Sequence, residues 1–300
     1  MLRRTFRAMG TDIECLLERP HDAVAEQALD AAEAEFARLE AALSRFLPDS
    51  ELSRLNAAGE ATVGADLLEL AEAAVEARER TRRRFDPTIH DALVEAGYDR
   101  SFELLDLPAS SSPVTVAMPR PARAVRCGGQ VHIDRKRSRV ALSEGTRLDL
   151  GGIAKGHAAD RVSAALAEAG PCLVSAGGDI SVRGEPSASV WAIAVPIGDG
   201  KITVGLAHGG LATSGVDRRR WRREGIDCHH IIDPAIGLPA VTDLLRVTVV
   251  ASSAREAEIL ATSLLLAGGL DSAACEADAA GIPAVLVDRN GRTRLAGGLW

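Results

Sequence analysis

The sequence predicts an α+β fold, mostly antiparallel sheets with helices packed on them, built as one domain over residues 1–300 whose two interleaved lobes hold the site between them. Three observations carry that expectation. Short apolar runs come in hairpin-like succession, at Val131–Asp134 and Arg139–Leu142, at 192–196, 201–206 and 210–214, and at 284–287 and 293–296 around Asn290-Gly291. Segments with apolar residues at helical spacing lie between them, suited to covering sheet faces. A chain of 300 residues also exceeds the usual domain of about 100–200, which favours a large two-lobed body. Two strand-turn-helix units, 148–169 and 245–268, would suit a doubly wound α/β fold instead, but the hairpin pairs would not.

In chain order, residues 5–17 read as a strand interrupted at Met9-Gly10-Thr11, and Ala23–Leu43 as a long helix. Residues 44–56 read as a loop with turn chemistry at Pro48-Asp49-Ser50, then a single helical turn. A helix over 65–81 runs into Arg84-Phe85-Asp86-Pro87, where the proline stops it and presents Asp86 at a turn, or as a helix cap. A helix over 89–96 follows, and the Pro- and Ser-rich stretch 107–120 is the loosest connection. The helix over 153–169 should bury Ile153, Val162, Ala165, Leu166 and Ala169, ending at Gly170-Pro171. Residues 172–182 read as a strand broken by Gly177-Gly178 with Asp179 just beyond, and 245–268 as a buried strand, a Ser-Ser start and a helix ended by Gly268-Gly269.

Composition narrows the function classes. Hydrophobic residues make up 46% and charged residues 26%, as in ordinary globular proteins, whereas aromatics are only 3%. The net charge of −7 argues against nucleic-acid binding. The basic run 218–223 reads first as a solvated hairpin or loop, with local anion binding the minority reading. Five cysteines, odd in number and widely spaced, fit neither a disulfide framework nor a zinc site and suit a reducing compartment. With no apolar leader region, no lipid-acceptor cysteine and no long apolar segment, the expectation is a cytoplasmic protein without a membrane anchor.

Chemistry is expected first at residues 148–162. Asp149 ends a short strand, Gly151-Gly152 let the backbone approach a ligand, and Lys155 stands in the first helical turn, where free N–H groups and the helix dipole favour phosphate. The pattern is neither a Rossmann nor a P-loop fingerprint, and a plain strand-to-helix turn is the alternative. Glu258 and Thr262, four apart on a helix, offer a carboxylate and a hydroxyl on one face, fit for a hard cation such as Mg²⁺ or merely solvated. Met9 is core filler on its own, and Phe46 is a lid over the core or a stacking surface. Of His229 and His230, neighbours in a strand, at most one should enter a given site.

Met9-Gly-Thr11, residues 44–56, Phe85-Asp-Pro-Thr88, residues 148–156, Ser175-Ala-Gly-Gly-Asp179, Ala212-Thr-Ser-Gly215, His230-Ile-Ile-Asp-Pro234 and residues 257–264, taken in this order, resemble the FAD:protein FMN transferase (ApbE) family over nearly the whole chain. The resemblance implies a Mg²⁺-dependent enzyme that splits the diphosphate of FAD and moves FMN onto a Thr or Ser hydroxyl of an acceptor flavoprotein, releasing AMP. It further implies that Met9 and Phe46 contact the flavin and adenine parts, although the family commonly has Tyr at the latter position. Arg84, Phe85 and Asp86 would meet the dinucleotide, Asp149 and Lys155 would lie beside the diphosphate, and Ile231 would join the FAD-binding set. The Gly152 carbonyl, Glu258 (usually Asp in the family) and Thr262 would be metal ligands. Asp179 and His230 would sit at the reacting end, with His230 as base for the acceptor hydroxyl and Lys155 supplying charge neutralisation. The other readings are a Mg²⁺-dependent FAD diphosphatase and a flavin-binding module without turnover.

Overall fold

Eight strands join in one sheet whose spatial order follows the chain: Leu2–Ala8, Thr11–Leu17, Cys172–Ala176, Asp179–Arg183, Gly209–Gly215, Leu244–Ala251, Ala284–Asp288 and Thr293–Ala296. The computed structural model describes residues 1–105, 125–223 and 226–299, so the expected loose connection at 107–120 lies outside the described residues. Every strand pair among the described residues is antiparallel, which excludes the doubly wound alternative.

The helices are insertions between neighbouring strands. α1 (Ala23–Leu43), α2 (Glu51–Ala58), α3 (Ala65–Arg80), α4 (His90–Glu95) and α5 (Ala154–Leu166) lie between the second and third strands of the sheet. α6 (Ala254–Leu265) and α7 (Leu270–Ala280) lie between the sixth and seventh. Phe36 and Leu39 of α1, Leu67 of α3 and Val162 of α5 pack with Ile13, Cys15 and Val174 of the sheet into one core. A second core joins α6 and α7 to the inward residues of the later strands. Period-two alternation then covers both faces: Ala284 and Leu286 point to these helices, whereas Val285 and Val287 point to the hairpin of Trp191–Ile197 and Gly200–Leu206 on the other side.

Two expected single strands are hairpins. Residues 5–17 reverse at Met9-Gly10, with φ of 53° and 65°, and residues 172–183 reverse at Gly177-Gly178, with φ of 65° and 103°. A two-residue turn with positive φ preserves the apolar alternation, so periodicity alone reads straight through it. The two tips touch: a Cβ on Gly177 would lie 2.3 Å from Thr11 Oγ1, and the Gly177 amide donates to the Asp12 carbonyl at 3.0 Å. The single turn expected after Ser50 is the eight-residue α2, N-capped by that serine. Ala165 is exposed rather than buried, because α5 buries a broad face through Ala154, His157, Ala158 and Ala159. α7 had no counterpart in the sequence reading. No helix among the described residues is long and apolar enough to cross a membrane.

Candidate active site

A cavity of about 570 Å³ opens where both hairpin tips, the start of α5 and the face of α6 meet. Met9, Phe46, Arg84, Phe85, Asp86, Asp149, Gly152, Lys155, Asp179, His230, Ile231, Glu258 and Thr262 all line it, although they come from widely separated parts of the chain.

The polar floor is built around Lys155. Its ammonium donates to Asp179 Oδ2 at 2.6 Å and to Glu258 Oε1, and reaches the Gly151 carbonyl at 3.4 Å. The second Glu258 oxygen accepts the Gly156 amide at 3.0 Å. α5 has no side-chain N-cap of its own, so a carboxylate from α6 takes an amide of its first turn. The two helix starts approach closely enough that a Cβ on Gly156 would lie 2.7 Å from the Ala254 carbonyl. Burial and the nearby Asp179 push Glu258 up to about 8, against the pull of Lys155. Burial works against the Lys155 charge, but Asp179 and Glu258 raise its pKa on balance above the ordinary lysine value. Two buried carboxylates thus share one ammonium.

The walls hold side chains already committed to partners. Asp149 pairs with Arg45 at 2.6 Å and accepts the Gly151 amide at 2.8 Å, which clamps the turn into α5. The Arg45 guanidinium lies 4.1 Å over the Phe46 ring and 4.6 Å over Tyr98, and the two rings pack with centroids 5.4 Å apart. Phe46 is therefore half-buried, packed into a cluster with Tyr98 and Trp221, and still on the cavity wall. Asp86 caps no helix: one oxygen accepts from the Thr88 amide and hydroxyl at 2.8 and 2.6 Å, the other faces Arg78 at 3.2 Å. Arg84 pairs with Glu276 of α7. Thr262 Oγ1 lies 2.9 Å from Ser214 Oγ.

His229 and His230 separate as strand neighbours do, although the strand itself, Ile226–His229, stops between them. His229 Nε2 donates to the Ala240 carbonyl at 3.1 Å and its Nδ1 accepts the Ile231 amide, 3.3 Å away, a fully used neutral ring. Burial holds its pKa down at about 4. His230 faces the cavity; its Nδ1 is buried without a hydrogen-bond partner among the described residues, and burial, helped by Arg219, holds its pKa well below the usual histidine value. It is a neutral imidazole with a nitrogen to spare.

Sequence reasoning missed Arg45, Tyr98, Ser214, Arg218 and Arg219 as parts of this wall. Arg45 and Ser214 lay inside quoted motifs, Tyr98 carries no local signal, and Arg218 and Arg219 belong to the basic run whose anion-binding reading was the minority one. That basic hairpin forms as expected, Arg220–Arg223 against Ile226–His229, but Trp221 at its centre is 1% exposed and donates to the Ala96 carbonyl. No group of three or more His, Cys, Asp or Glu side chains suited to a metal ion occurs among the described residues. A cation held here would have to rely on a mixed set of carboxylate, hydroxyl and carbonyl oxygens, which is the chemistry of hard ions.

An antiparallel sheet whose insertions converge on a large charged cavity marks a ligand-binding or catalytic α+β protein rather than a structural one. The ApbE family model matches residues 9–297, and the chain belongs to that family. It is 31% identical over 281 residues to the FAD:protein FMN transferase of Treponema pallidum (strain Nichols), covering 87% of this chain and 76% of that protein. It is 29% identical over 279 residues to the FAD:protein FMN transferase of Rhodobacter capsulatus, covering 89% of this chain and 51% of that one. Among solved structures, the ApbE protein of Thermotoga maritima superposes with a TM-score of 0.82 at 25% identity, covering 98% of this chain and 96% of that one. The flavinyl transferase ApbE of Pseudomonas stutzeri, in its apo form, gives 0.80 at 27% identity, covering 98% and 94%.

Proposed function

We propose that this protein transfers FMN from FAD to a Thr or Ser hydroxyl of an acceptor flavoprotein, with Mg²⁺ as cofactor and AMP as the released product, as a single domain of two interleaved lobes. That it is an FAD:protein FMN transferase follows from the family and from relatives about 30% identical over most of its length. The observation that carries the finer reading is the floor of the cavity, where Lys155 bridges Asp179 and Glu258 beside the start of α5.

The residues present fit a divalent cation. Two buried carboxylates share one ammonium, and burial together with the nearby Asp179 pushes the Glu258 carboxyl up, so a further positive charge there would favour its ionised form. Glu258 and Thr262 from one face of α6, with the Gly152 carbonyl, would hold Mg²⁺; when bound, it supplies charge stabilisation at the diphosphate. The chain's own residues do the rest. Lys155 keeps the two carboxylates together in a water-poor floor, where their charges act strongly. Asp149, held by Arg45, keeps the Gly151-Gly152 turn in the shape that lets backbone approach the ligand. Phe46, Phe85 and Met9 offer the apolar surface that flat rings need, with Ile231 beside them and Arg84 and Asp86 on the same wall. His230, neutral with Nδ1 unpartnered, accepts the proton of the acceptor hydroxyl as the new phosphoester bond forms. The five free cysteines are consistent with a cytoplasmic setting.

The deciding experiment incubates the protein with FAD, Mg²⁺ and an acceptor domain and looks for flavin fluorescence on the acceptor in a denaturing gel. A fluorescent acceptor band with AMP release supports transfer. AMP release without such a band would make the protein an FAD diphosphatase, and neither would leave a flavin-binding module.

A further inference from the structure

The cations that line the cavity divide into two groups. Arg45 is spent on Asp149, Arg84 on Glu276, Arg7 on Asp12 and Glu103, and Lys155 on Asp179 and Glu258. Arg218 and Arg219 differ. Arg218 Nη1 touches only the Gly177 carbonyl, at 3.4 Å, and Arg219 Nη1 only the Tyr98 hydroxyl, at 3.4 Å; neither meets a carboxylate among the described residues. Arg219 also holds φ of 45°, a left-handed backbone that an arginine adopts only at a cost and that recurs at ligand-binding sites. It lines the same cavity as Lys155 and His230.

We infer that Arg218 and Arg219 form the anion-binding arm of the site and hold the diphosphate of the dinucleotide, Lys155 being reserved for the two carboxylates. Guanidinium groups suit this task, since their planar fork of N–H donors matches phosphate oxygens in pairs. The geometry supports the division of labour. Arg218 lies across the Gly177-Gly178 turn, with its Nη1 3.7 Å from where a Gly178 Cβ would be, and that turn leads straight into Asp179. Arg218 therefore rests against the hairpin tip that carries Asp179, and both arginines line the cavity that holds the carboxylate-lysine floor. A phosphate between them would meet positive charge on the arginine side and, on the other, the place proposed for Mg²⁺.

This inference rests on the FAD-dependent reading for its ligand, but its test separates the two. Inorganic diphosphate, FAD and riboflavin are titrated calorimetrically into the wild type, Arg218→Gln, Arg219→Gln, Arg219→Lys and, as a control outside the cavity, Arg222→Gln. Losing one charged hydrogen-bonding partner should weaken diphosphate and FAD binding roughly 10- to 100-fold in each cavity Gln variant, with riboflavin unchanged, Arg219→Lys intermediate and Arg222→Gln like the wild type. Unchanged diphosphate and FAD affinity in both Gln variants overturns the inference, as does an equal loss of riboflavin binding. Diphosphate binding that depends on the arginines in a protein that ignores FAD would keep the arm and remove the FAD reading.

Discussion

Two helix starts lie against each other in this protein, and each takes a carboxylate from the other helix, but only α6 also has a side-chain cap of its own. α6 begins on Ser253, which accepts the Glu256 amide at 3.1 Å, and Asp160 takes the Ala254 and Arg255 amides at 2.9 and 3.0 Å. α5 begins at Ile153 without a side-chain cap, and the Gly156 amide is served from across the gap by Glu258. A locally capped start anchors its helix. The uncapped start lines the cavity, and its carboxylate belongs to a neighbour that also binds Lys155, the arrangement on which the proposed function rests.

Removing that borrowed carboxylate is the strongest way to test the contrast. Glu258→Ala should abolish Mg²⁺-dependent AMP release while FAD still binds; a fully active variant would reduce the α5 start to a structural turn. His230→Ala comes next, with FMN transfer falling about 10²–10⁴-fold as expected for loss of a general base, and with FAD binding kept. Wild-type transfer rates in that variant would move the role of base to Asp179. Lys155→Ala leaves two buried carboxylates facing each other, and breaking a buried pair costs about 3–5 kcal/mol. Denaturant unfolding should show that loss, and turnover should slow with weaker FAD binding; unaltered stability, affinity and rate would make the bridged floor irrelevant.

At the other helix start, Asp160→Ala should cost stability, about 0.5–2 kcal/mol for lost capping bonds, and change activity far less than Glu258→Ala does. If the two variants damage activity equally, the contrast between the starts is void. The smallest effect concerns His229. Its folded pKa of about 4 lies below the ordinary 6.5, so the native state binds fewer protons than the unfolded chain between those values. The stability tied to the neutral ring is present above pH 6.5 and is lost as pH falls towards 4. His229→Gln should flatten that part of the fall, seen as a smaller drop in thermal midpoint between pH 7 and pH 5, and should spare transfer; an unchanged slope would contradict it.

Local pattern was enough for much of the frame. α1 falls at Ala23–Leu43 as its apolar spacing requires, and the Asn290-Gly291 turn closes the last hairpin, because helical period and turn chemistry are written in neighbouring residues. The predicted site residues, down to His230 and Thr262, were legible through their ordered motifs and all line the cavity, whereas Arg45, Tyr98, Ser214, Arg218 and Arg219 beside them were not singled out. Their partners were not. Which carboxylates share Lys155, that Arg45 holds Asp149, and that Arg218 and Arg219 meet no carboxylate among the described residues are outcomes of two hairpin tips and two helix starts meeting in space. Chain neighbours set the conformation of a turn or a helix, but charge pairing depends on distances between segments, such as the 103 positions separating Lys155 from Glu258, and only the packed tertiary structure sets those distances.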